Sequence, residues 1–422
     1  MTKTKTTPAQ ALLAWYDRHR RVLPWRAPAG RRADPYHVWL SEIMLQQTTV
    51  QAVASYYRKF LDRWPTVESL AAAPLDEVLA AWAGLGYYAR ARNLHKCAVV
   101  VTHERGGKFP ETAAELKTLP GIGSYTAGAI AAIAFDQPEA AMDANAERVV
   151  ARLFAMDEPL PGGKPRLLAQ GRTLVPQKRA GDFAQAMMDL GSAICTVKRP
   201  ACGNCPLAEG CVARANGIAE TLPVKTPKAA RPLKRGAAFV AINGGGAVLL
   251  VKRPEKGLLA GMLEPPLGPW TAKFPAREAA LKQAPFAAAW KKLPGLVRHG
   301  FTHFELEIEV WVAEVKEDCH PRLSQRSAAK GRGPRSSRLD DAEELAPNPS
   351  VKTTKASAPG SPSLGLLSRF AAEPSSPGMI ESFWVPSERL KDVALPTVMR
   401  KIITHALADE GPLFTQTKTP RR

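Results

Sequence analysis

Hydrophobic residues are spaced differently in the two halves of the chain. From about residue 8 to residue 213, Ala- and Leu-rich runs recur at helical spacing, and Pro and Gly interrupt them. Further on, the β-branched runs 239–242 and 248–251 flank three consecutive glycines, a pattern typical of a hairpin. Apolar and polar residues alternate over 305–312, which indicates a half-buried strand. We therefore predict an all-α N-terminal domain and an α+β C-terminal domain.

Changes in amino-acid composition along the chain define the predicted domain boundaries. Residues 214–235 are dominated by Pro, Lys and Thr, which favours an extended interdomain linker after a helical domain over 8–213. Residues 317–379 are rich in Ser, Pro and Ala and have too few apolar residues to form a core, so we predict a disordered insertion there. The second domain then comprises residues 236–316 and 380–412.

The charge balance favours a polyanionic partner. The 422 residues include 58 Lys and Arg against 39 Asp and Glu, a formal net charge of +19. Counterion release favours the binding of such a chain to nucleic acid. The sequence shows neither the apolar core of a signal peptide nor an apolar stretch long enough to span a membrane. We expect an intracellular, cytoplasmic protein associated with the nucleoid, monomeric and without a membrane partner.

Four of the six cysteines lie close together, with the spacing C-x6-C-x2-C-x5-C: they are Cys195, Cys202, Cys205 and Cys211. This distribution is unlike a secreted disulfide framework. It favours a [4Fe–4S] cluster, with zinc and unligated core cysteines as the alternatives, because structural zinc more often takes two C-x2-C pairs. With four protein ligands the centre would be structural or redox-tuning. The neighbouring Lys198 and Arg199 either contact phosphates or belong to a solvated loop.

A glycine-containing turn separates two helical patterns. The turn comprises residues 119–123 and includes Gly121 and Gly123, which we expect to permit positive φ and a close approach of the backbone. Its amides and the N-terminus of the following helix suit a DNA phosphate, a contact that positions DNA without reading sequence. Taken alone, such a turn is as often a plain connection between helices.

Together these features resemble the helix-hairpin-helix, or endonuclease III-like, glycosylase superfamily: the turn, Asp143 about twenty residues later, and the cysteine loop. Residues 23–26, 35–48 and 86–94 are similar to its adenine DNA glycosylase branch, the MutY family. The resemblance covers nearly the whole chain apart from the predicted insertion. It implies a base-excision repair enzyme that flips adenine out of double-stranded DNA and excises it where it is mispaired with 8-oxoguanine or guanine.

The resemblance also implies catalytic roles. Glycosidic cleavage needs an acid for the leaving base and a carboxylate near the oxocarbenium ion; Glu42 takes the first role, at adenine N7, and Asp143 the second. Asn145 would orient Asp143, and Tyr125 stands where endonuclease-type relatives carry a Schiff-base lysine, which implies a monofunctional enzyme. Without the resemblance, Glu42 would be an exposed helix acid and Asp143 an N-cap. Ala144 replaces the family's glycine, a strained choice if its φ is positive.

Other residues match positions that contact the DNA. Those that match the pocket for the extruded adenine are Trp25, Arg26, Leu45 and Asp189. Those that match residues inserted at the lesion pair are Gln47 and Tyr88. For Leu45 and Tyr88, ordinary packing in a helical core is the competing interpretation.

The C-terminal domain resembles a Nudix-like domain at residues 251–262. Residues 277–283 keep few of the glutamates with which that fold binds Mg²⁺ for diphosphate hydrolysis. The resemblance therefore implies a reader of 8-oxoguanine. Phe301, Thr302 and His303 are similar to the family's Phe-Ser-His loop at the lesion, and Thr302 keeps the hydroxyl group. Taken alone, the three would be ordinary strand residues.

Three alternative functions stay open on the sequence. A glycosylase and lyase for oxidised pyrimidines is disfavoured by Tyr125 in place of lysine. A Nudix diphosphohydrolase is disfavoured by the missing glutamates. A non-catalytic DNA-binding or redox-sensing protein would leave the pairing of Glu42 and Asp143 unexplained.

Overall fold

The chain separates into two compact units, Met1–Ala229 and Ala230–Arg422. The first is helical and the second is built on a mixed β-sheet, which confirms the predicted all-α and α+β classes. No helix in the described part of the chain is long and apolar enough to cross a bilayer. The predicted insertion at 317–379 lies outside the described residues. The computed structural model describes residues 6–227, 230–254, 256–316 and 381–408.

Capping residues set the starts of several helices in the first unit. Thr7 and Gln10 form a capping box at the first helix, and Asp34 caps the second just before Pro35. The described helices are α1 (Pro8–His19), α2 (Pro35–Leu45), α3 (Val50–Arg63), α4 (Val67–Ala71), α5 (Leu75–Trp82), α6 (Ala89–Arg105), α7 (Ala113–Leu116), α8 (Ser124–Phe135), α9 (Ala144–Leu153), α10 (Lys164–Arg172), α11 (Ala180–Ala193) and α12 (Val212–Ala215).

The core of the first unit lies between α1, α9 and α11. Leu12, Val150 and Leu190 are fully buried there. The neighbouring α2 packs against α8 and is buried around almost its whole circumference. A helix that is apolar on all sides belongs inside a protein, so any polar side chain on α2 is drawn into the core with it.

The helical unit extends beyond its predicted end. Leu160 donates a backbone hydrogen bond to the carbonyl of residue 224 at 2.9 Å and accepts one from the amide of residue 226 at 3.0 Å. The predicted extended linker over 214–235 is therefore wrong for most of its length, and the first strand begins inside that range. The Pro- and Lys-rich composition concealed apolar residues that pack on the helical unit, namely Ile218, Leu222 and Val224.

The second unit contains one seven-stranded sheet among its described residues, in the order β3-β2-β1-β6-β4, with β7 also paired to β2 and β5 to β6. The pairing of β1 with β6 is parallel and the others are antiparallel. Its elements are β1 (Leu233–Asn243), β2 (Ala247–Lys252), β3 (Leu263–Glu264), α13 (Arg277–Leu281), β4 (Lys291–Lys292), β5 (Val297–Gly300), β6 (Glu305–Val315), β7 (Ser382–Pro386) and α14 (Thr397–Leu407).

The predicted hairpin at the three glycines is confirmed by β1 and β2, and Gly246 adopts the positive φ of +74° that such a turn requires. Strand β6 alternates between two apolar layers. Ile308 and Val310 pack on the side of α14, whereas Trp311 packs on the side of α13 with Phe239. The sheet therefore separates two differently lined faces.

Candidate active site

Glu42 is an acid buried within the helical unit. It lies on α2 and is only 6% exposed, so the interpretation of it as an exposed helix acid is wrong. The Tyr125 hydroxyl, in the first turn of α8, donates to Glu42 Oε2 at 3.0 Å. Burial raises the pKa of Glu42 to about 7, helped by the charge of Asp143 and opposed by the Tyr125 hydrogen bond and Arg26. Glu42 therefore keeps its proton up to near-neutral pH, as a general acid must.

Asp143 is the N-cap of α9. Its Oδ1 accepts hydrogen bonds from the amides of Asn145 at 3.0 Å and Ala146 at 2.7 Å. The side-chain nitrogen of Asn145 donates to the other carboxylate oxygen at 2.8 Å. The capping interpretation is thus confirmed, and the same three donors fix the direction of the carboxylate. This is the geometry that a carboxylate needs if it is to face a developing positive charge.

Two features of the backbone around the site differ from expectation. Ala144 is the first residue of α9 and is not among the residues with positive φ, so replacing glycine there brings no strain. In the turn before α8, Gly121 has φ +76°, and a Cβ at that position would lie 2.6 Å from Cβ of Asn93. Gly123 has φ −85° and is the N-cap of α8. Gly121 therefore uses the positive φ that glycine permits, whereas Gly123 does not.

Arg26 and Asp189 form a buried ion pair beside α2. The two guanidinium nitrogens of Arg26 donate to the two carboxylate oxygens at 2.6 and 2.7 Å, and Arg21 Nε adds a third bond at 2.5 Å. Asp189 on α11 has no exposed surface, and burial of a charge is tolerated when it is paired in this bidentate way. The pair anchors the segment that carries Trp25. Contact of Trp25, Arg26, Leu45 and Asp189 with adenine stays a prediction.

The two residues predicted to insert at the lesion pair behave differently. Gln47 is exposed, just after α2, and has φ +56°. Tyr88 is only 4% exposed and its hydroxyl accepts from the amide of Gly84 at 3.4 Å, so it packs in the core of the helical unit in this structure, and its insertion at the lesion pair stays a prediction. The neighbouring Tyr87 is 45% exposed with φ +49°. Of two consecutive tyrosines at the start of α6, one must face the core, and the sequence did not indicate which.

Arg90 links the loops that carry Gln47 and Tyr87. This arginine on α6 is half-buried in protein, and burial lowers its pKa to about 10. Sequence reasoning did not single it out, because three of the carbonyl oxygens that it binds are more than 40 residues away along the chain. Its guanidinium group donates hydrogen bonds to backbone carbonyl oxygens at the end of α2 and in the loop before α6. The acceptors are the carbonyls of Ile43 (2.9 Å), Met44 (3.0 Å), Gln46 (2.5 Å), Leu85 (3.2 Å) and Gly86 (3.3 Å).

The four clustered cysteines are free thiols that lie close to one another against the helical core. Burial raises the pKa of Cys205 to about 11, and the charges of the other three add to it. Four thiolates are the donor set that an iron–sulfur cluster takes, and Cys195, Cys202, Cys205 and Cys211 would be the ligands.

Two arginines of α9 support this loop. Arg152 is 1% exposed and donates to Cys195 Sγ at 3.3 Å and to the carbonyl of Thr196 at 2.7 Å. Arg148 donates to the carbonyl of Cys195 at 2.7 Å and to Asn145 Oδ1 at 2.9 Å. Since Asn145 also holds Asp143, one chain of hydrogen bonds joins the cysteine loop to the candidate active site.

Phe301, Thr302 and His303 lie in the turn between β5 and β6, so the interpretation of them as strand residues is wrong. Phe301 and Phe304 close the turn through a backbone hydrogen bond of 2.9 Å and stacked rings 4.7 Å apart. The side chains of Thr302 and His303 are exposed at its tip. On the opposite face of the sheet, α13 carries a single acidic residue, Glu278, which agrees with the predicted loss of the hydrolytic glutamates.

Comparison with protein families agrees with this division of the chain. Residues 40–169 match the HhH-GPD superfamily of base excision DNA repair proteins. Residues 195–211 match the iron–sulfur binding domain of endonuclease III, so the cysteine loop is the site of a [4Fe–4S] cluster. Residues 237–347 match the NUDIX domain.

Known proteins resemble the chain along most of its length. It is 37% identical over 363 residues to an adenine DNA glycosylase of Homo sapiens, covering 71% of this chain and 66% of that protein. It is 37% identical over 276 residues to one of Mycobacterium tuberculosis, covering 65% of this chain and 82% of that protein. A solved thermostable thymine-DNA glycosylase is 31% identical, with a TM-score of 0.45 over 49% of this chain and 95% of its own. The extent and identity of the matches to these two adenine DNA glycosylases show that the chain belongs to their family.

Proposed function

We propose that this protein hydrolyses the N-glycosidic bond of adenine mispaired with 8-oxoguanine or guanine in double-stranded DNA. The observation that carries the proposal is the buried Glu42, whose pKa is raised to about 7 beside the oriented carboxylate of Asp143. An acid and a carboxylate are the two groups that glycosidic cleavage requires. Glu42 lies on α2 and Asp143 caps α9, both in the unit that matches a base-excision superfamily.

In the proposed reaction the Glu42 carboxylic acid donates its proton to N7 of the flipped adenine. The bond between C1′ and N9 then breaks, its electron pair leaves with the base, and the sugar becomes an oxocarbenium ion. Asp143 stabilises this ion or captures it transiently. Water adds at C1′ and gives up its proton to the Glu42 carboxylate, which restores the acid. The products are free adenine and an abasic site.

Tyr125 supports the monofunctional form of this reaction. A lyase needs an amine that forms a Schiff base with C1′, but a phenol occupies that place in the hairpin. The hydroxyl of Tyr125 is also committed to Glu42, at 3.0 Å. We infer that the strand stays intact after excision, which disfavours the alternative of a lyase for oxidised pyrimidines.

Lesion recognition is assigned to two separate features. Gln47 and Tyr88 are the residues proposed to insert at the lesion pair. Arg90 fixes the loops beside them, and Gln47 and the neighbouring Tyr87 carry exposed side chains there, as insertion into a base stack requires. Thr302 and His303 present a hydroxyl group and an imidazole at the tip of the Nudix-like unit, and both can hydrogen-bond to a modified base. A cluster ligated by the four cysteines would fix the conformation of their loop. The exposed side chains of Lys198 and Arg199 on that loop could then contact DNA phosphates.

The test is a glycosylase assay on duplexes that place adenine opposite 8-oxoguanine, guanine or thymine, followed by alkali. We expect cleavage for the first two and loss of about 10²- to 10⁴-fold in rate for Glu42→Gln, because the acid is removed. If the parent protein cleaved these duplexes no faster than Glu42→Gln does, the proposal would be overturned. Strand cleavage without alkali would overturn the monofunctional assignment, and hydrolysis of nucleoside triphosphates would support a diphosphohydrolase instead. We propose a monomer acting in the cytoplasm at the nucleoid.

A further inference from the structure

The second unit contains a cavity with no role in the proposed excision. Its volume is about 470 Å³, within the range typical of small-molecule sites. It lies at the edge of the sheet formed by β4 and β6 and near the start of α13. Two indole rings and four charged groups line it: Trp290, Trp311, Arg277, Lys291, Lys292 and Glu309.

The charges of this cavity do not cancel. Lys292 Nζ pairs with Glu309 Oε1 at 2.6 Å. Arg277 and Lys291 are exposed and form no ion pair with the residues that the structure describes. The cavity therefore keeps two uncompensated cations, an arrangement that attracts an anionic group such as phosphate.

The aromatic part of the lining has an unmet hydrogen-bonding requirement. Trp290 Nε1 donates to the carbonyl of Phe286 at 3.0 Å. Trp311 is 2% exposed, and its Nε1 has no acceptor among the described residues. A buried donor without a partner costs free energy, and the acceptor atom of a planar, polar ring held against the indoles would satisfy it.

The cavity is separate from the turn at 301–304. That turn packs with Trp270 on the α14 side of the sheet, whereas Trp311 lies on the α13 side. Along β6, the six residue steps from Glu305, which follows the turn, to Trp311 span about 20 Å at roughly 3.3 Å per residue. A ligand in the cavity would not touch Thr302 or His303.

We propose that this cavity binds a phosphorylated nucleoside, with its phosphate against Arg277 and Lys291 and its base against Trp290 and Trp311. Binding without hydrolysis follows from the single acid on α13, since diphosphate hydrolysis in this fold requires several carboxylates for a metal. Either a free nucleotide or a nucleotide unit within a DNA strand carries this chemistry. The site is independent of the excision centre on the helical unit.

The test is calorimetric titration of the full chain with thymidine 5′-monophosphate, whose base is not the product of adenine excision. We expect binding, and a loss of affinity of about tenfold or more in Arg277→Glu/Lys291→Glu, because attraction of the phosphate becomes repulsion. Lys273→Glu/Lys282→Glu is the matched control: it makes the same change in net charge on exposed residues of this unit outside the cavity, and its affinity should stay within about twofold of the parent's. Both variants should keep the parental circular dichroism spectrum and thermal unfolding midpoint, which shows that they fold.

Two further ligands separate the sources of the nucleotide. Inorganic phosphate should bind more weakly than the monophosphate, and equal binding would overturn the role of the indoles. A 5′-phosphorylated oligothymidylate that displaces the monophosphate would identify a DNA strand as the source, and failure to displace it would identify the free nucleotide. No heat of binding from the parent protein, or equal affinities in the parent and Arg277→Glu/Lys291→Glu, would overturn the proposal.

Discussion

Glu42 shows how burial converts an ordinary carboxyl group into an acid. Its pKa rises from 4.5 in an unperturbed side chain to about 7 in the folded protein. Between these values the folded state holds one proton more than the unfolded state, so the free energy of unfolding falls as pH rises through this window. The same burial keeps the proton available near neutral pH. Stability and acid catalysis are therefore opposed at this residue.

The first prediction concerns the dependence of excision on pH. The single-turnover rate should fall above about pH 7, as Glu42 loses its proton. In Tyr125→Phe the hydrogen bond that favours the ionised form is absent, so the pKa should rise and the fall in rate should move to higher pH. Rates measured from pH 5 to 9 on both proteins test this, and a shift to lower pH in Tyr125→Phe would contradict it.

The second prediction separates the two roles of Asp143. Asn is as good an N-cap as Asp, so Asp143→Asn should keep the stability of the protein while losing the excision activity. Asp143→Ala should lose the activity and also about 1 kcal/mol of stability, because the amides of Asn145 and Ala146 lose their acceptor. Denaturant unfolding and single-turnover rates provide the two readouts. Equal stability of the two variants would rule out the capping role.

The identity of the candidate catalytic residues was predictable from the sequence, but their environments were not. Motif strings marked Glu42 and Tyr125, yet burial and the hydrogen bond between them depend on how α2 packs on α8. Which of Tyr87 and Tyr88 is buried was not predictable, because the direction of a side chain at a helix start depends on tertiary packing. Arg90 and Arg148 went unnoticed, since most of their backbone acceptors are far away in sequence.

At the scale of elements, the spacing of hydrophobic residues and glycines correctly predicted the elements that local sequence determines. The hairpin at 244–246 and the strand from Glu305 follow from glycine and from alternation, and the structure confirms both. The prediction of an extended linker was wrong, because residues 216–226 pack on the helical unit through a few apolar side chains. The overall composition of the segment does not reveal these few residues. Whether such a segment packs depends on a complementary surface that only the folded domain provides.

The third prediction concerns the cysteine loop. The loop contains only two short 3₁₀ turns, whereas the core beneath it is built from α1, α9 and α11. Cys202→Ala should therefore lose the iron-dependent visible absorption and about tenfold in DNA affinity, while keeping most of its helical circular dichroism. Cys97→Ala, which removes a buried thiol of α6 outside the loop, is the control and should keep its iron. Unchanged DNA affinity in iron-free Cys202→Ala would contradict a role of the loop in binding.

At the scale of the whole molecule, one chain combines two units with separate cores. The helical unit contains the acid, the oriented carboxylate and the exposed side chains of Gln47 and Tyr87. The Nudix-like unit lacks a carboxylate cluster on α13 but presents two exposed polar side chains at the turn before β6. Under the proposed function, this division predicts that excision and discrimination between guanine and 8-oxoguanine can be changed independently.

The last prediction tests that independence with Thr302→Ala/His303→Ala. The excised adenine and the acid that protonates it are the same in both mispairs. The double variant should therefore excise adenine opposite guanine within about twofold of the parental rate. Opposite 8-oxoguanine, two lost hydrogen bonds of about 1 kcal/mol each correspond to about thirtyfold in kcat/KM. The measurement is the ratio of kcat/KM on the two duplexes, with Lys282→Ala on the α13 layer as the control. An equal loss on both substrates would show that the turn supports DNA binding in general, since only a contact with the lesion distinguishes the two bases opposite the same adenine.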